Sequence, residues 1–391
     1  MKLEKNNKLI LDLGKQPVTN QFSKKHNKKS KKYNLKLVQD LNTGIIKIDK
    51  PFPFKSLTPK VKWIQYNEPE GHIKDLFNTI YKKHLKKNGK VLGLTYKDNS
   101  LIQKFKNNKI EANLLDPISD LGLKKNEGIE TVQHKLDQSI INKILKKYGK
   151  QDIVIIRHIW EHVYNLNKFT SLIKQLVNEE GLFLFEVPDN SKLLKNIDYT
   201  MIWEEHLFYF NKYTFLNSLR QYDFFIKYTK KIIYPNEDVL IALVNCKKNV
   251  DQYKSKSELN KIIYLANNFK KNFNFQKKNI HKKIIKISKH SKKVILYGAG
   301  HLGISFILYF NLEKYISLIV DDNLVKHNYY IPGAKIKILH SSKIKLSNDN
   351  HILISANQIN ENFMINKLIN NNVSKSNIDS IFSTSKIFIG R

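Results

Sequence analysis

A strand, a glycine-rich turn and the start of a helix follow one another in Val294-Ile-Leu-Tyr-Gly298-Ala-Gly300-His-Leu-Gly303. Glycines at these positions allow a tight turn and the close approach of a phosphate to the first N–H groups of the helix. The acidic pair Asp321-Asp322 follows about twenty residues later, where a dinucleotide fold carries its ribose-binding acid. The pattern predicts a Rossmann-like α/β unit. It leaves two interpretations open: an NAD-dependent oxidoreductase, or a Rossmann-like scaffold that keeps the turn but binds no NAD.

Upstream of this unit, apolar strands alternate with helices, which predicts a mostly parallel, doubly wound sheet. The strands are expected at residues 90–94, 111–115, 129–133, 152–156 and 182–187, and the helices at 73–85, 167–178 and 214–221. Two further apolar runs, residues 224–228 and 239–244, are expected to close the sheet as an antiparallel pair. The predicted fold class is therefore α/β, with two nucleotide-type sheets in one chain.

The chain divides into four expected parts. An irregular, β-rich module occupies residues 1–72, and the doubly wound sheet follows over residues 73–246. Residues 247–290 have helical periodicity and contain neither Gly nor Pro, so they are expected to form a helical linker. Residues 291–391 are expected to form the smaller, Rossmann-like α/β domain.

Composition favours a protein of two or three domains. At 391 residues and 41% hydrophobic content, the chain can bury a core in each domain without cross-links. No apolar run approaches the roughly 18 residues of a membrane-spanning helix, and no leader is recognisable, so we expect no membrane partner and a cytoplasmic location. The single cysteine, Cys246, excludes an intrachain disulfide and a cysteine-based zinc site.

The formal charge of +34 is of the size seen in nucleic-acid-binding proteins. The basic residues are nearly all Lys, however, and the arginines are Arg157, Arg220 and Arg391. Proteins that bind bases and phosphates favour Arg for its planar, forked donor group. The lysines are spread along the chain together with Asn and Ile. This distribution is typical of a compositional bias of the source genome, with the lysines on solvent-exposed faces. We expect no nucleic-acid partner, although this field would attract an anionic small ligand.

An acid next to an imidazole lies between the two nucleotide-type segments, in Glu204-Glu205-His206-Leu-Phe-Tyr209-Phe210. Such a pair can abstract a proton, and the aromatic residues that follow can screen it from water. Glu205 and His206 are therefore candidate catalytic residues. The alternative is a histidine that only caps a loop.

The first strand–helix turn of the central sheet reads Gly93-Leu-Thr-Tyr96-Lys97-Asp98-Asn-Ser100. With one glycine it is not a pyrophosphate-binding loop, and its polar side chains suit a ligand without phosphates, such as the amino-acid end of S-adenosylmethionine. Asp116 ends the second strand, where a carboxylate can accept hydrogen bonds from ribose hydroxyls. An ordinary turn remains the alternative for both.

The fourth strand leads into a cluster of ionisable residues, Arg157-His158-Ile-Trp-Glu161-His162. His158 and His162 are four residues apart, a spacing that places both imidazoles on one helical face and can ligate a metal ion. The alternative is that the cluster forms a wall of the cofactor pocket.

Together these motifs resemble the sugar C-methyltransferases, S-adenosylmethionine-dependent enzymes that act on nucleotide-linked deoxysugars. The resemblance spans nearly the whole chain. It rests on Asp12-Leu-Gly-Lys-Gln-Pro17-Val-Thr-Asn20, Glu161-His162, Phe185-Glu186-Val187-Pro188, Glu205-His206-Leu-Phe-Tyr-Phe210, Gly298-Ala-Gly300, Val320-Asp321-Asp322-Asn323 and Ile331-Pro332-Gly333-Ala-Lys-Ile336.

The resemblance implies a class I methyltransferase sheet that binds S-adenosylmethionine, and a C-terminal domain that helps to hold the nucleotide-linked sugar. It also implies that His206, with Glu205 beside it, removes a proton next to a keto group to form an enolate, which takes the methyl group. The expected cofactor-binding residues are Gly93, Tyr96, Lys97, Asp98, Asp116, Arg157, His158 and Glu161. The expected substrate-binding residues are His72, Trp203, Tyr209, Gly298, Gly300, Gly303 and Asp321, and Tyr66 is a further catalytic candidate.

Two departures from the family pattern bear on activity. An aromatic hydroxyl is usual two residues before the Glu of the Glu-His pair, but Trp203 occupies this position. The cysteine pairs that hold zinc in the N-terminal module are missing, and Asp40 and Thr43 stand in place of the later pair. We therefore expect no structural zinc. These departures leave a non-catalytic relic as an alternative. The joint presence of Asp116, Glu205 and His206 argues against it.

Overall fold

The computed structural model describes residues 6–25, 30–61, 69–85, 88–123, 129–247, 250–356 and 358–391. Within these ranges the strands form three sheets, of four, six and five strands. The chain is an α/β protein, as the alternation of strands and helices predicts.

Among the described residues, the strands are β1 (Asn7–Pro17), β2 (Lys32–Asp40), β3 (Ile46–Ile48), β4 (Lys90–Gly93), β5 (Glu111–Leu114), β6 (Gln151–Arg157), β7 (Val177–Asp189), β8 (Phe208–Tyr209), β9 (Phe224–Ile232), β10 (Asp238–Cys246), β11 (Lys293–Tyr297), β12 (Leu318–Asp321), β13 (Ile338–His340), β14 (Asn350–Ile354) and β15 (Ile378–Ser380). The α-helices are α1 (Phe54–Leu57), α2 (Ile73–Lys83), α3 (Asn99–Asn107), α4 (Ile129–Lys135), α5 (Gln138–Tyr148), α6 (Leu166–Ile173), α7 (Ser191–Asn196), α8 (Lys212–Arg220), α9 (Lys256–His290), α10 (His301–Tyr309) and α11 (Glu361–Asn370).

The first sheet is antiparallel and has the strand order β1-β2-β3-β8. Its last strand comes from a distant part of the chain, because Ile46 pairs with Tyr209 and Lys47 pairs with Phe208. β8 begins two residues after His206. The pairing of β8 with β3 therefore fixes the position of the segment that directly follows Glu205 and His206.

The central sheet has the order β5-β4-β6-β7-β10-β9. The first four strands are parallel, and β10 runs antiparallel to both of its neighbours. The antiparallel pair predicted at the end of this segment is confirmed as β9 and β10. A parallel sheet closed by such a pair is the class I methyltransferase arrangement.

The strand predicted at residues 129–133 is wrong, because these residues belong to helix α4. Val132 and Leu136 are four residues apart, and both are buried in the core on one face of the central sheet. This spacing places both side chains on one face of a helix, but it would also place them on one face of a strand, so the sequence pattern does not distinguish the two. Strand propensity depends on packing context, and here packing overrides it.

The helix predicted over residues 167–178 is shorter than expected. α6 ends at Ile173, a 3-10 turn follows, and the chain enters β7 at Val177. Val177 is buried and pairs with Gln151 of β6, so strand pairing begins within the predicted helix.

The third sheet has the order β13-β12-β11-β14-β15, and every neighbouring pair in it is parallel. The turn after β11 requires glycine at two positions. Gly298 has a φ of +114°, and a Cβ on Gly303 would lie 2.7 Å from Ser355 Oγ. The Rossmann-like unit predicted from this turn is confirmed.

Helix α9 spans 35 residues and packs against parts of the chain that are far apart in sequence. Lys270 Nζ donates to the carbonyl oxygen of Leu9 at 2.8 Å, and Lys283 Nζ lies 2.7 Å from Asp379 Oδ1. Apolar residues of β1, β2, α9, α10 and β11 form one continuous core. None of the described helices combines the length and apolar character needed to cross a membrane.

Candidate active site

The turn after β4 is held closed by one buried carboxylate. Asp98 Oδ2 accepts the backbone N–H groups of Leu94 and Thr95 at 2.8 and 2.9 Å. Asp98 Oδ1 accepts the backbone N–H of Arg157 at 3.2 Å. Burial raises the pKa of Asp98 to about 7, against the opposing effect of these N–H groups and of the guanidinium. A Cβ on Gly93 would lie 2.8 Å from Asp98 Cβ, so this turn depends on glycine.

Glu186 in β7 is completely buried and is the centre of a polar network beneath this turn. The guanidinium of Arg157 donates to both carboxylate oxygens, at 2.9 and 3.0 Å. His158 Nε2 lies 3.0 Å from Oε1, and His72 Nε2 lies 3.0 Å from Oε2. Burial acts to raise the pKa of Glu186, but Arg157 and the two imidazoles outweigh it and hold the pKa well below its usual range.

This network supports the turn from inside the fold. Arg157 Nη1 donates to the carbonyl oxygen of Lys97, which ties the network to the turn. His158 has a φ of +53°, a left-handed conformation that is rare outside glycine and marks a position fixed by its surroundings. Tyr96 is 48% exposed and stands on the open side of the turn. Of the predicted cofactor residues, Arg157 and His158 therefore lie beneath the turn and Tyr96 faces outward.

Asp116 stands on the open side of the sheet, directly after β5. Its Oδ1 accepts the backbone N–H groups of Ser119 and Ile118 at 2.6 and 3.1 Å. The backbone N–H and hydroxyl of Ser119 lower the pKa of Asp116. The carboxylate is exposed and oriented by its own turn, at the edge where the parallel strands β4 and β5 both end.

Residues of the N-terminal segment hold the two acidic side chains of the acid/base loop, which we define as residues 203–207. Thr19 donates its backbone N–H and its hydroxyl to Glu204 Oε1, at 2.5 and 2.9 Å. Asn20 Nδ2 donates to Glu205 Oε1 at 2.5 Å. Both carboxylates are buried. The loop is thus anchored by two consecutive residues more than 180 positions away in the sequence.

His206 is surrounded by rings. The ring centroids of Trp203 and His162 each lie 4.8 Å from its own. Tyr209 packs edge-on at 6.3 Å, and its hydroxyl bonds both the N–H and the carbonyl of Trp203 at 2.9 Å. Burial lowers the pKa of His206 well below its ordinary value, and the nearby imidazoles of His162 and His301 add to the effect. The imidazole is therefore neutral near pH 7, and the lowered pKa makes it a weaker base than an exposed imidazole.

Glu161 and His162 face His206 from the 3-10 turn after β6. One potential ligand atom from each of these three residues lies within 4.8 Å of the others, which makes them a possible metal-binding group among the described residues. In the His158–His162 pair considered from the sequence, His158 Nε2 is engaged by Glu186. The potential metal-binding group therefore joins His162 with Glu161 and His206, and not with His158.

A cavity of about 670 Å³ opens at the glycine-rich turn. The N-terminal segment, the acid/base loop and the C-terminal Rossmann-like unit all contribute to its lining. The lining residues include Thr19, Phe22, Trp203, Gly298, Gly300, His301, Asp321, Lys326 and Ser355. A cavity of this size accommodates a ligand as large as a nucleotide or a drug-sized molecule.

Asp321, the acid expected after the second strand of this domain, is engaged in shaping the cavity. Its Oδ2 accepts the backbone N–H of Ala299 and the ammonium of Lys326, each at 2.7 Å. Its Oδ1 accepts the backbone N–H of Asn323 at 2.8 Å. The carboxylate therefore fixes the glycine-rich turn and holds the cation of Lys326 beside the cavity.

Trp203 connects this cavity with His206. Its ring centroid lies 5.0 Å from that of His301, the first residue of α10, and 4.8 Å from that of His206. Thr19 Oγ1, which is bonded to Glu204, also lies 2.9 Å from His301 Nδ1. One indole ring therefore separates the cavity from the candidate base.

Sequence reasoning assigned no role to Thr19, Asn20, Glu186 or His301. The first three lie within the motifs that carry the family resemblance, so their motif membership was the available signal. His301 lies within the glycine-rich turn. Only its contacts with Thr19 and Trp203, which are far away in the sequence, distinguish it from other residues of the helix. Tyr66, a predicted catalytic residue, belongs to residues 62–68 and lies outside the described part of the chain.

Two known families match successive parts of the chain. The family described as a methyltransferase domain matches residues 64–227. The family described as the C-methyltransferase C-terminal domain matches residues 245–372. Both are families of methyltransferases.

The chain is 29% identical over 98 residues to C-methyltransferase NovU of Streptomyces niveus, a match that spans 25% of this chain and 23% of that protein. Solved structures with some likeness include a 1,6-didemethyltoxoflavin-N1-methyltransferase of Burkholderia thailandensis, at 10% identity over 46% of this chain and 80% of that one, with a TM-score of 0.32. Another is the glycopeptide N-methyltransferase MtfA, at 9% identity over 45% and 90% of the two chains, with a TM-score of 0.28.

Proposed function

We propose that the protein transfers the methyl group of S-adenosylmethionine to a carbon atom beside the keto group of a nucleotide-linked sugar. The main support is the position of Trp203, whose ring lies 4.8 Å from His206 and 5.0 Å from His301 at the cavity. A substrate that carries its nucleotide in the cavity can present its sugar on the side of this ring where the imidazole lies. The C-methyltransferase C-terminal domain and the relative named for C-methyl transfer agree with this chemistry.

The carboxyl ends of β4 and β5 fit the methyl donor. Gly93 lets the chain pack closely against Asp98, and the turn that follows carries polar groups but no phosphate-binding glycine series. Asp116 offers an exposed carboxylate, already oriented by Ser119, to the hydroxyls of a ribose. When bound, S-adenosylmethionine supplies an electrophilic methyl group.

His206 is the proposed base. A keto group acidifies the neighbouring C–H, and a neutral imidazole at hydrogen-bonding distance can take that proton in the transition state. Glu205, held in place by Asn20, lies next to the imidazole in the sequence and can stabilise the imidazolium that forms. The aromatic rings of Trp203 and Tyr209 limit access of water to this proton.

The cavity has the features that an anionic nucleotide requires. The N-terminus of α10 presents backbone N–H groups at the glycine-rich turn, where helices commonly bind phosphates. Lys326 adds a cation, and the net charge of +34 attracts anions from solution. Asp321 Oδ2 already accepts from Ala299 and Lys326, and Oδ1 accepts from Asn323, so both oxygens with which a dinucleotide fold would bind the ribose of NAD are engaged. This supports a sugar-linked nucleotide over NAD.

Methyl transfer from isotopically labelled S-adenosylmethionine to a panel of keto-sugar nucleotides tests this function. We expect a product one methyl group heavier, with the label on the carbon next to the keto group when analysed by mass spectrometry and NMR. S-Adenosylhomocysteine, but not NADH, should raise the melting temperature of the enzyme. Label on oxygen or nitrogen, or stabilisation and hydride transfer with NADH, would contradict the proposal.

A further inference from the structure

We propose that Glu161, His162 and His206 form a binding site for a divalent transition-metal ion such as Zn²⁺ or Co²⁺. One oxygen and two imidazole nitrogens from these residues all lie within 4.8 Å of one another. Two imidazoles and a carboxylate are a donor set that such ions favour, and three protein ligands leave coordination positions open for solvent or substrate. This inference does not depend on the proposed sugar substrate.

Glu161 is the first line of evidence. Its side chain is completely buried, and among the described residues neither carboxylate oxygen has a hydrogen-bond partner. The imidazole nitrogens of His158 and His162 lie 3.5 and 4.0 Å from Oε1, beyond good hydrogen-bonding geometry. A buried carboxylate without hydrogen bonds is strongly unfavourable unless a cation or a set of donors compensates it. Both imidazoles lie within ion-pair distance of Oε1 but make no hydrogen bond to it, so a bound cation would add the direct contact that this carboxylate lacks.

The orientation of His162 is the second line of evidence. Its Nδ1 lies 2.8 Å from the carbonyl oxygen of Glu205. A carbonyl oxygen can only accept, so Nδ1 carries a proton, and in the neutral form of the ring Nε2 is the nitrogen that can bind a metal ion; it lies 4.0 Å from Glu161 Oε1. Metal-binding histidines are usually oriented in this way, with one nitrogen donating to a backbone carbonyl and the other facing the metal.

His206 completes the group. Its Nδ1 is buried and has no hydrogen-bond partner among the described residues, and its ring packs 4.8 Å from that of His162. Donor atoms around a tetrahedral ion with bonds of about 2.1 Å are separated by about 3.4 Å. Small side-chain rotations, of about 1 Å at the donor atoms, would bring the three ligands from their present separation to that geometry.

Occupation of the site has a consequence for the proposed reaction, and this consequence alone rests on the proposed function. A metal ion bound to one nitrogen of His206 withdraws electron density from the ring and occupies the lone pair that would take a proton. We therefore expect the bound ion to inhibit methyl transfer, and a chelator to restore it.

Binding can be measured without any substrate, on the tag-free full chain after treatment with a chelator. Titration with Co²⁺, followed by the visible absorption bands of the ion and by equilibrium dialysis, should show one ion bound per chain, and the bound ion should raise the melting temperature. Glu161→Gln keeps the size of the side chain and removes its charge. This variant should fold, lose the cobalt-dependent thermal shift and bind the ion at least about tenfold more weakly.

His290→Asn is the matched control, because His290 is an exposed histidine at the end of α9, and this variant should bind Co²⁺ as the wild type does. His162→Gln provides a second ligand variant with the same expected loss as Glu161→Gln. Wild-type affinity in both ligand variants, or loss of the ion in His290→Asn, would overturn the site. A wild-type protein that binds no cobalt, together with a raised substrate KM in Glu161→Gln, would assign the buried carboxylate to substrate hydroxyls instead.

Discussion

At the scale of single residues, two carboxylates of the central sheet, one inside β7 and one directly after β5, have opposite surroundings. Glu186 is completely buried, and its oxygens are shared by Arg157 and two imidazoles. Asp116 is exposed, and its Oδ1 is oriented by Ser119 at 2.6 Å. Glu186 is therefore suited to hold the protein framework, whereas Asp116 is suited to meet a ligand.

Replacement of Asp116 tests its assignment to the methyl donor. Asp116→Ala removes the proposed ribose acceptor, and we expect the affinity for S-adenosylhomocysteine in calorimetry to fall by about tenfold or more, as for a lost charge-assisted hydrogen bond. The fold should persist, because the carboxylate is on the surface. Asp251→Ala, at an exposed position of the linker, is the control and should bind normally. Equal affinity in the two variants would remove Asp116 from the cofactor site.

At the scale of elements, the turn from β11 into α10 contains glycines with different roles. Gly303 is required by packing, since a Cβ there would lie 2.7 Å from Ser355 Oγ. A Cβ on Gly300 would meet nothing within 4 Å, and Gly300 lines the cavity. Position 300 can therefore carry a Cβ without a clash with the described residues, and a branched side chain there would reduce the space for a ligand in the cavity.

This difference separates a binding effect from a folding effect. Gly300→Val should leave the melting temperature and the affinity for S-adenosylhomocysteine nearly unchanged, while it raises the KM for the sugar nucleotide in steady-state assays. Gly303→Ala should instead lower the melting temperature, because the new Cβ would clash with Ser355. Loss of cofactor affinity in a folded Gly300→Val variant would contradict the assignment of the cavity to the sugar nucleotide.

Sequence patterns predicted some elements of the fold correctly and missed others. The glycine-rich turn and the closing antiparallel pair could be predicted because their signals are local. Helix α4 was predicted as a strand, since the four-residue spacing of Val132 and Leu136 fits one face of either element. The pairing of β8 with β3, which positions the loop of His206, could not be predicted either. A two-residue strand has no pattern of its own, and its partner is more than 150 residues away.

At the scale of the whole molecule, α9 and a shared core join the N-terminal and C-terminal sheets. Within this arrangement, Thr19 contacts Glu204 of the acid/base loop and His301 of the third sheet's turn. The motif residues were visible in the sequence, but their convergence was not, because the contacts span 185 and 282 positions. The candidate site was thus predictable as a set of residues and not as a geometry.

One ionic contact between α9 and the C-terminal sheet gives a pH-dependent stability. Asp379 Oδ1 lies 2.7 Å from Lys283 Nζ, and its Oδ2 lies 2.9 Å from His351 Nε2. Burial acts to raise the pKa of Asp379, but these two partners outweigh it and lower the pKa below 3.8. The ionised form is therefore favoured by folding. Its contribution is present above the unfolded pKa of about 3.9 and is lost as the pH falls through the lower folded pKa.

Urea unfolding at several pH values measures this contribution. Asp379→Asn should lower the free energy of unfolding by about 1–3 kcal/mol at pH 7. The difference between wild type and variant should shrink below about pH 4, where the wild-type carboxyl also becomes protonated. A difference that stays constant from pH 7 to pH 3 would show that the contact does not act through the charge of Asp379.

The most direct test of the account is the exchange of the substrate proton next to the keto group with deuterated solvent, followed by NMR in the presence of S-adenosylhomocysteine. The wild type should catalyse this exchange, because His206 removes that proton before methyl transfer. His206→Asn should keep the fold and the cofactor affinity, but exchange and kcat should both fall by about 10²–10⁴-fold, as for a lost general base. Exchange at the wild-type rate in this variant would contradict the role of His206 and direct attention to Glu205 and Tyr66.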